Sequence, residues 1–208
     1  MSFWDKIAPF YDLAESLNGK VYRKMLGYSV SLVKEGGRVL ECAAGTGEIS
    51  IAVSKKASYV LCTDVSEAML ERAKDKCRRK GIANIDFAER NIFSLPDEDE
   101  SYDTVIAANV LHLLDEPEKA VRELMRVLKK GGRLLVPTFI TTNPDGTAMT
   151  TIKLYRLLGF KPAEHYTPES YFEMLKSCTD GGKLRMKVIK GLIPSAYAVI
   201  EKPTEGSV

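Results

Sequence analysis

The chain has 208 residues, 45% of them hydrophobic, with 30 Lys and Arg against 28 Asp and Glu for a formal net charge of +2. That length suits one domain with a substantial core, and the ordinary apolar and charged fractions mark a soluble globular protein without the basic footprint of a nucleic-acid binder. Apolar runs fall short of a membrane span, two histidines and four cysteines without C-x-x-C spacing assemble no zinc site, and Met1-Ser-Phe-Trp-Asp-Lys opens no apolar signal core.

In chain order, residues 3–34 read as helical. Phe3, Trp4, Ile7, Phe10 and Tyr11 recur at helical spacing, Asn18-Gly19 divides the segment, and Glu35-Gly36-Gly37 ends it. Strands and helices then alternate: strand 38–42, helix 48–56, strand 59–63, helix 66–80 with Ser66 as N-cap and Gly81 as stop, strand 85–89. An acidic loop, Leu95 to Ser101, leads to strand 103–108, helix 116–129 with Pro117 in its first turn, a Lys130-Gly131-Gly132 stop, and strand 133–139. Residues 141–165 look irregular or partly helical. Helix 167–177 opens on Thr167-Pro168-Glu169, and strands 183–190 and 195–201 are joined through Gly191 and Pro194. The alternation predicts an α/β fold: a Rossmann-like, doubly wound, seven-stranded sheet, mostly parallel, with an antiparallel C-terminal hairpin strand and helices on both faces. The division expected within this single domain is an N-terminal helical lid (1–34), a core (35–140), a cap (141–180) and the hairpin (181–203).

The chemistry concentrates at Val39-Leu-Glu-Cys-Ala-Ala-Gly-Thr-Gly-Glu-Ile-Ser50, where an apolar strand ends in an acid and turns through small residues into a helix. Gly45 and Gly47 give the backbone the freedom to approach a nucleotide-like ligand. Glu41 and Ala43 fall at the strand's carboxyl end, where open α/β sheets bind ligands. Twenty-three residues past Glu41, a second apolar strand ends in Asp64, an acid suited to a ribose diol. A dinucleotide fingerprint aligned on Gly45 would need a third glycine where Ser50 stands.

The Glu41-Cys-Ala43-Ala-Gly45-Thr-Gly47 stretch, together with Asp64, resembles the class I S-adenosylmethionine-dependent methyltransferases, with Ala43 at the place of the family's first glycine. The resemblance covers about residues 1–140 and is nearest to the small-molecule type, including the ubiquinone/menaquinone biosynthesis methyltransferases, which carry a similar Ala-x-x-Tyr-Asp ahead of the core (here Ala8 to Asp12). It implies S-adenosylmethionine as cofactor and S-adenosylhomocysteine as product. Ala43, Gly45 and Gly47 would lie under the methionine moiety, Asp64 would hold the ribose, and Val65 would stack on adenine. Asn91, where relatives have an acid, would accept from the adenine amino group, and the Ile92 N–H would meet a ring nitrogen. Asn109 and Val110 would border the reacting methyl, and Tyr11 would close over the cofactor carboxylate. Each has a plainer reading: turn geometry for the glycines, a helix cap for Asp64, a turn cap for Asn91, packing for Tyr11.

The implied reaction is an in-line displacement of the methyl group onto a small acceptor. No base stands out: His112 and Tyr11 are the catalytic candidates entered for the site, with His165 and Tyr166 behind them, and His112 reads best as a loop-holding residue. The prolines of the Asn/Asp-Pro-Pro-aromatic motif used for amino nitrogens are missing after Asn109. Tyr155, Phe160, His165, Tyr166, Tyr171, Phe172 and Met174 make residues 141–180 aromatic, which suits an apolar or aromatic acceptor, although packing explains each one as well. Cys42 and Cys62 fall in core strands, while Cys178 is a candidate for exposure. The expected setting is cytoplasmic, with reduced thiols, as monomer or homodimer, with no metal, no nucleic-acid partner and no stable membrane insertion. The alternatives are an NAD-dependent oxidoreductase, against which Ser50, the terminal hairpin and the lack of Tyr-x-x-x-Lys all count, and a non-catalytic S-adenosylmethionine-binding regulatory module.

Overall fold

Seven strands form one sheet in the order β3-β2-β1-β4-β5-β7-β6. The computed structural model describes residues 4, 5, 8, 18–141, 166–191 and 193–204. The strands are β1 (Arg38–Cys42), β2 (Tyr59–Asp64), β3 (Ile85–Glu89), β4 (Tyr102–Ala107), β5 (Leu128–Phe139), β6 (Lys183–Ile189) and β7 (Ser195–Glu201). Strands β1 to β5 run parallel, and β7 lies antiparallel between β5 and β6. The short Gly191-to-Pro194 connection implies that one strand of the hairpin is reversed, and it is the last, β7, as the resemblance implies.

Among the described residues, five α-helices of defined extent cover the sheet: α1 (Gly19–Leu32), α2 (Glu48–Val53), α3 (Glu67–Lys80), α4 (Pro117–Val127) and α5 (Pro168–Ser177). Alternation along the strands sends neighbouring residues to opposite layers. Leu40 and Cys42 of β1 join Val105, Leu134, Val136 and Ala198 beneath α4 and α5. Val39 of the same strand joins Val60, Cys62, Ile106 and Leu135 beneath α1, α2 and α3. Both faces are therefore apolar, which is why the central strands read as continuous hydrophobic runs.

The local signals act where the sequence places them. The Ser66 side chain accepts from the Met69 N–H at 3.3 Å, and Gly81 closes α3 in the left-handed region at φ +65°. Thr167 opens α5 in a capping box with Ser170. Helix α2 is shorter than expected, since Ser54 to Lys56 form a turn. Helix α4 also ends early, at Val127, and β5 begins at Leu128. Leu128 pairs with Tyr102, whereas Arg133 pairs with Thr104, so the Lys129–Gly132 segment bulges out of the ladder. Gly131 takes φ +71°, and a Cβ on Gly132 would meet the Lys129 carbonyl at 2.8 Å. The glycine pair makes the bulge instead of stopping the helix.

The hairpin edge is tied to α1. Asn18 Nδ2 donates to the Ile193 carbonyl at 2.9 Å, and a Cβ on Gly191 would run into Val21. Along β6, Lys183, Arg185 and Lys187 are exposed, whereas Leu184 and Met186 pack on the core. Lys187 Nζ sits 4.0 Å above the Tyr28 ring. Among the described residues no helix is long and apolar enough to cross a membrane.

Candidate functional site

The strand order reverses between β1 and β4, and ligands of open parallel sheets sit beyond the carboxyl ends of strands at such a point. Cys42 and Ala107 are paired there, so the turns after both strands leave the sheet side by side.

The turn after β1 is wound in the left-handed region at Ala43 (φ +52°), Gly45 (φ +54°) and Gly47 (φ +76°). Alanine at the first of these bears a strain that glycine would not. At Gly47 a Cβ would stand 2.8 Å from the Ala73 Cβ, so the missing side chain brings α2 against α3 as well as shaping the turn. Glu41 is buried, and its carboxylate accepts from the Ser50 hydroxyl. The residue that breaks the dinucleotide fingerprint therefore holds the acid at the end of β1.

Asp64 joins the β1 turn to the start of α3. Its Oδ2 accepts from the Gly45 N–H at 2.8 Å and its Oδ1 from the Ser66 N–H at 2.9 Å. Burial pushes its carboxyl above the usual carboxylate value of 3.8, opposed by the N–H donors of Ser66, Gly45 and Val65. The nearby Asp5 carboxylate adds to the upward push and itself accepts from the Ser66 hydroxyl at 2.6 Å, which brings Asp5 to this end of the sheet. The neighbouring Val65 is 52% exposed, an apolar side chain on the rim of the turn.

Beyond β3, Asn91 folds the chain back on itself. Its Oδ1 accepts from the Phe93 N–H at 3.0 Å and its carbonyl from the Ser94 N–H at 3.1 Å. This is the turn-cap geometry weighed above, and it fixes the direction of the amide oxygen. Ile92 and Leu95 are buried in the core on either side of this turn.

After β4, Asn109 takes φ +53° and donates its backbone N–H to the Pro137 carbonyl at 2.7 Å. Its side-chain oxygen is buried and has no hydrogen-bond partner among the described residues, an arrangement that calls for a donor. Val110 is buried, and a 3₁₀ turn over Leu111–Leu113 follows. His112 lies inside that turn, with Nδ1 2.9 Å from Thr138 Oγ1 and its ring edge-on to Phe139 at 5.5 Å. These contacts pin the loop to β5.

The aromatic cap is partly corrected. Tyr171 is fully buried and donates its hydroxyl to the Val136 carbonyl at 2.6 Å; Tyr166 packs on it with ring centroids 5.0 Å apart. Met174 belongs to the same core. Tyr171 and Met174 fall on the inward face of α5 and fasten it to the sheet, and Tyr166 packs against Tyr171 just ahead of the helix. Cys178 is buried rather than exposed, and burial pushes its thiol up to about 11. Burial likewise lifts Cys42 to about 12, so neither is a ready thiolate. Tyr11, Tyr155, Phe160 and His165 lie outside the described residues. Ser50, Asp5 and Thr138 were not singled out as contacts of this region; only the Ser50 mismatch gave a signal.

The set presents a buried carboxylate, an exposed apolar side chain, a left-handed backbone turn and an orphaned amide oxygen along one end of the sheet. It fits a ligand with a diol, a flat ring and a hydrogen-bond donor. Residues 40–136 match the family model described as a methyltransferase domain. The chain is 35% identical over 161 residues to a ubiquinone/menaquinone biosynthesis C-methyltransferase of Pseudomonas fluorescens (strain SBW25), covering 74% of this chain and 61% of that protein. The crystal structure of a SAM-dependent methyltransferase from Aquifex aeolicus superposes with TM-score 0.63 at 25% identity, over 88% of this chain and 90% of that one. The YcgJ protein from Bacillus subtilis shares the fold at TM-score 0.73 and 18% identity, over 88% and 100% of the two chains. The chain spans about three fifths of the length of the curated relatives it matches.

Proposed function

We propose that this chain, whose residues 40–136 match a methyltransferase domain, is a class I S-adenosylmethionine-dependent methyltransferase that methylates a small apolar or aromatic acceptor. The observation that carries the reading is the Asp64 carboxylate, held by the Gly45 and Ser66 N–H groups beside the exposed Val65. A carboxylate fixed by two donors keeps further lone pairs for the hydroxyls of a ribose. Val65 supplies a face for adenine, and the amide oxygen of Asn91 keeps a lone pair for the adenine amino group. The backbone of residues 43–47 takes the amino-acid end, and the Asn109 oxygen waits for an N–H or O–H donor close to the transferred group.

When bound, S-adenosylmethionine supplies a methyl group on a sulfonium whose sulfur leaves without protonation, so the protein's task is orientation and exclusion of water. His112 keeps the loop after β4 in place through Thr138. The relative's name puts its methyl on carbon in quinone biosynthesis, and a quinone-type ring carbon is accordingly the first acceptor to test. The segments 1–34, 35–140, 141–180 and 181–203 serve as lid, core, cap and hairpin in this reading.

Calorimetric titration with S-adenosylmethionine, S-adenosylhomocysteine and NADH, on wild type and Asp64→Ala, tests the cofactor. Micromolar binding of the two sulfur compounds, lost in the variant, is expected. Binding of NADH alone would overturn the reading, and cofactor binding without turnover on quinols, phenols, thiols and amines would favour a regulatory module.

A further inference from the structure

On α4, remote in sequence from every residue assigned to the cofactor, Glu123 and Arg126 meet the chain that follows the Asn91 turn. Glu123 Oε1 accepts from the Leu95 N–H at 2.7 Å. Arg126 Nη2 donates to the Leu95 carbonyl at 2.9 Å, so one peptide neighbourhood is gripped by both its donor and its acceptor. Arg126 uses all five of its N–H groups: Nε and Nη2 on Glu123, Nη2 on Leu95, and Nη1 on the Asp97 carbonyl and the Asp99 carboxylate. A guanidinium with its whole fork satisfied has one orientation, and lysine has no equivalent geometry. The guanidinium beside Glu123 also holds its carboxyl below the usual carboxylate range, against desolvation, with the Leu95 N–H adding to the effect.

The grip is reinforced from two sides. Tyr102 donates its hydroxyl to Asp97 Oδ1 at 2.7 Å, and the N–H groups of Glu100 and Ser101 donate to the carbonyls of Arg126 and Val127. Upstream, by contrast, the Asn91–Ser94 turn has short-range hydrogen bonds of its own among the described residues, with the buried side chains of Ile92 and Leu95 and the Lys119 ammonium 5.8 Å from the Phe93 ring centroid as further ties. Apolar contacts are non-directional. They keep the turn on the core, and the Phe93 N–H fixes the Asn91 oxygen within the turn, but neither places the turn itself to within a hydrogen bond's tolerance.

We infer that the Glu123–Arg126 pair is a positioning device for adenine recognition, clamping Leu95 so that the Asn91 turn presents its amide oxygen to the exocyclic amino group of the cofactor's base. The inference rests on the assignment of Asn91 to adenine made above. It extends the recognition apparatus to two charged residues of α4 that touch no ligand. The Asn91 oxygen cannot exchange places with its amide nitrogen without giving up the Phe93 N–H. A base lacking the amino group therefore loses this contact, and is disfavoured only while the turn holds its shape.

The test compares the affinity of the full chain for S-adenosylhomocysteine and for its analogue with hydrogen in place of the adenine 6-amino group, which keeps N1 an acceptor, by calorimetry, in wild type, Asn91→Ala, Arg126→Gln, Arg126→Lys and Glu123→Gln. Wild type should prefer the adenosyl compound by about tenfold or more, one hydrogen bond's worth of discrimination. Asn91→Ala and Arg126→Gln should both bring that preference below about threefold, while Arg126→Lys restores part of it. Glu123→Gln retains the fold's shape and serves if Arg126→Gln does not fold. A preference lost in Asn91→Ala but intact in the α4 variants overturns the clamp. Equal weakening of both compounds in the α4 variants also overturns it, because general loosening is blind to the base. An unchanged preference in Asn91→Ala overturns the assignment of Asn91 itself, and the clamp with it.

Discussion

The Ser50 hydroxyl donates to the Glu41 carboxylate across the turn from β1 to α2, and both groups are buried. A dinucleotide fingerprint would have glycine at Ser50, so the position that departs from one motif is what satisfies the acid of the other. Ser50→Ala withdraws a donor from a buried carboxylate. It should cost about 1–2 kcal/mol and lower the Tm by roughly 2–8 °C in a thermal melt. Ser50→Gly should cost at least as much and confer no affinity for NADH.

Alanine and glycine have opposite expected effects within one turn. Ala43 sits at φ +52°, where a Cβ costs about 1–2 kcal/mol and glycine's extra unfolded-state entropy returns roughly 0.5–1. Ala43→Gly should therefore be neutral or stabilising by up to about 1 kcal/mol. Gly47→Ala meets both a φ of +76° and the Ala73 Cβ at 2.8 Å, and should destabilise by more than about 2 kcal/mol. Urea midpoints for the two variants, moving in opposite directions, check the contrast.

Asp64 gives a pH dependence of opposite sign for folding and for binding. Its folded-state value is raised above 3.8 chiefly by burial. The native state therefore holds this proton more tightly than the unfolded chain, and the group's contribution to stability is full below about 3.8 and lost as pH rises through the folded value. Ribose recognition needs the ionised carboxylate, so affinity for S-adenosylhomocysteine should rise over the same window. Calorimetry between about pH 4 and 7 should show that rise in wild type. Asp64→Asn should show a flat profile, about 10- to 100-fold weaker at neutral pH.

Most of the sheet was legible because its signals are local. Strand ends, the Ser66 cap, the Gly81 stop and the terminal hairpin depend on residues within a few positions of one another. What escaped depends on contacts between distant segments. The Lys130-Gly131-Gly132 stretch has the composition of a helix stop, but its conformation is set by pairing with β4, which no local pattern specifies. Glu123 and Arg126 look like an ordinary solvated i,i+3 pair on a helix, and only their reach to Leu95, 28 and 31 positions away, gives them another part. The Asp64 acid was visible as a strand-ending carboxylate, whereas the Gly45 and Ser66 donors around it needed coordinates.

Tyr171 separates packing from acceptor recognition. Its hydroxyl serves the Val136 carbonyl inside the core. Tyr171→Phe should lower stability by about 1–2 kcal/mol in denaturant titrations while leaving the Kd for S-adenosylhomocysteine within about twofold. A selective loss of acceptor turnover, with stability intact, would return Tyr171 to the pocket.

Among the described residues the sheet ends at β6, whose outer edge pairs with no further strand there. Self-pairing in antiparallel register about Arg185 would set Lys183 of one copy against Lys187 of the other and the two Arg185 side chains against each other. Every cross-strand pair on that face would be a like-charge pair. The alternating cations of β6 thus oppose a second copy adding along this edge in that register, even with Arg185 paired to Glu201 in the native sheet.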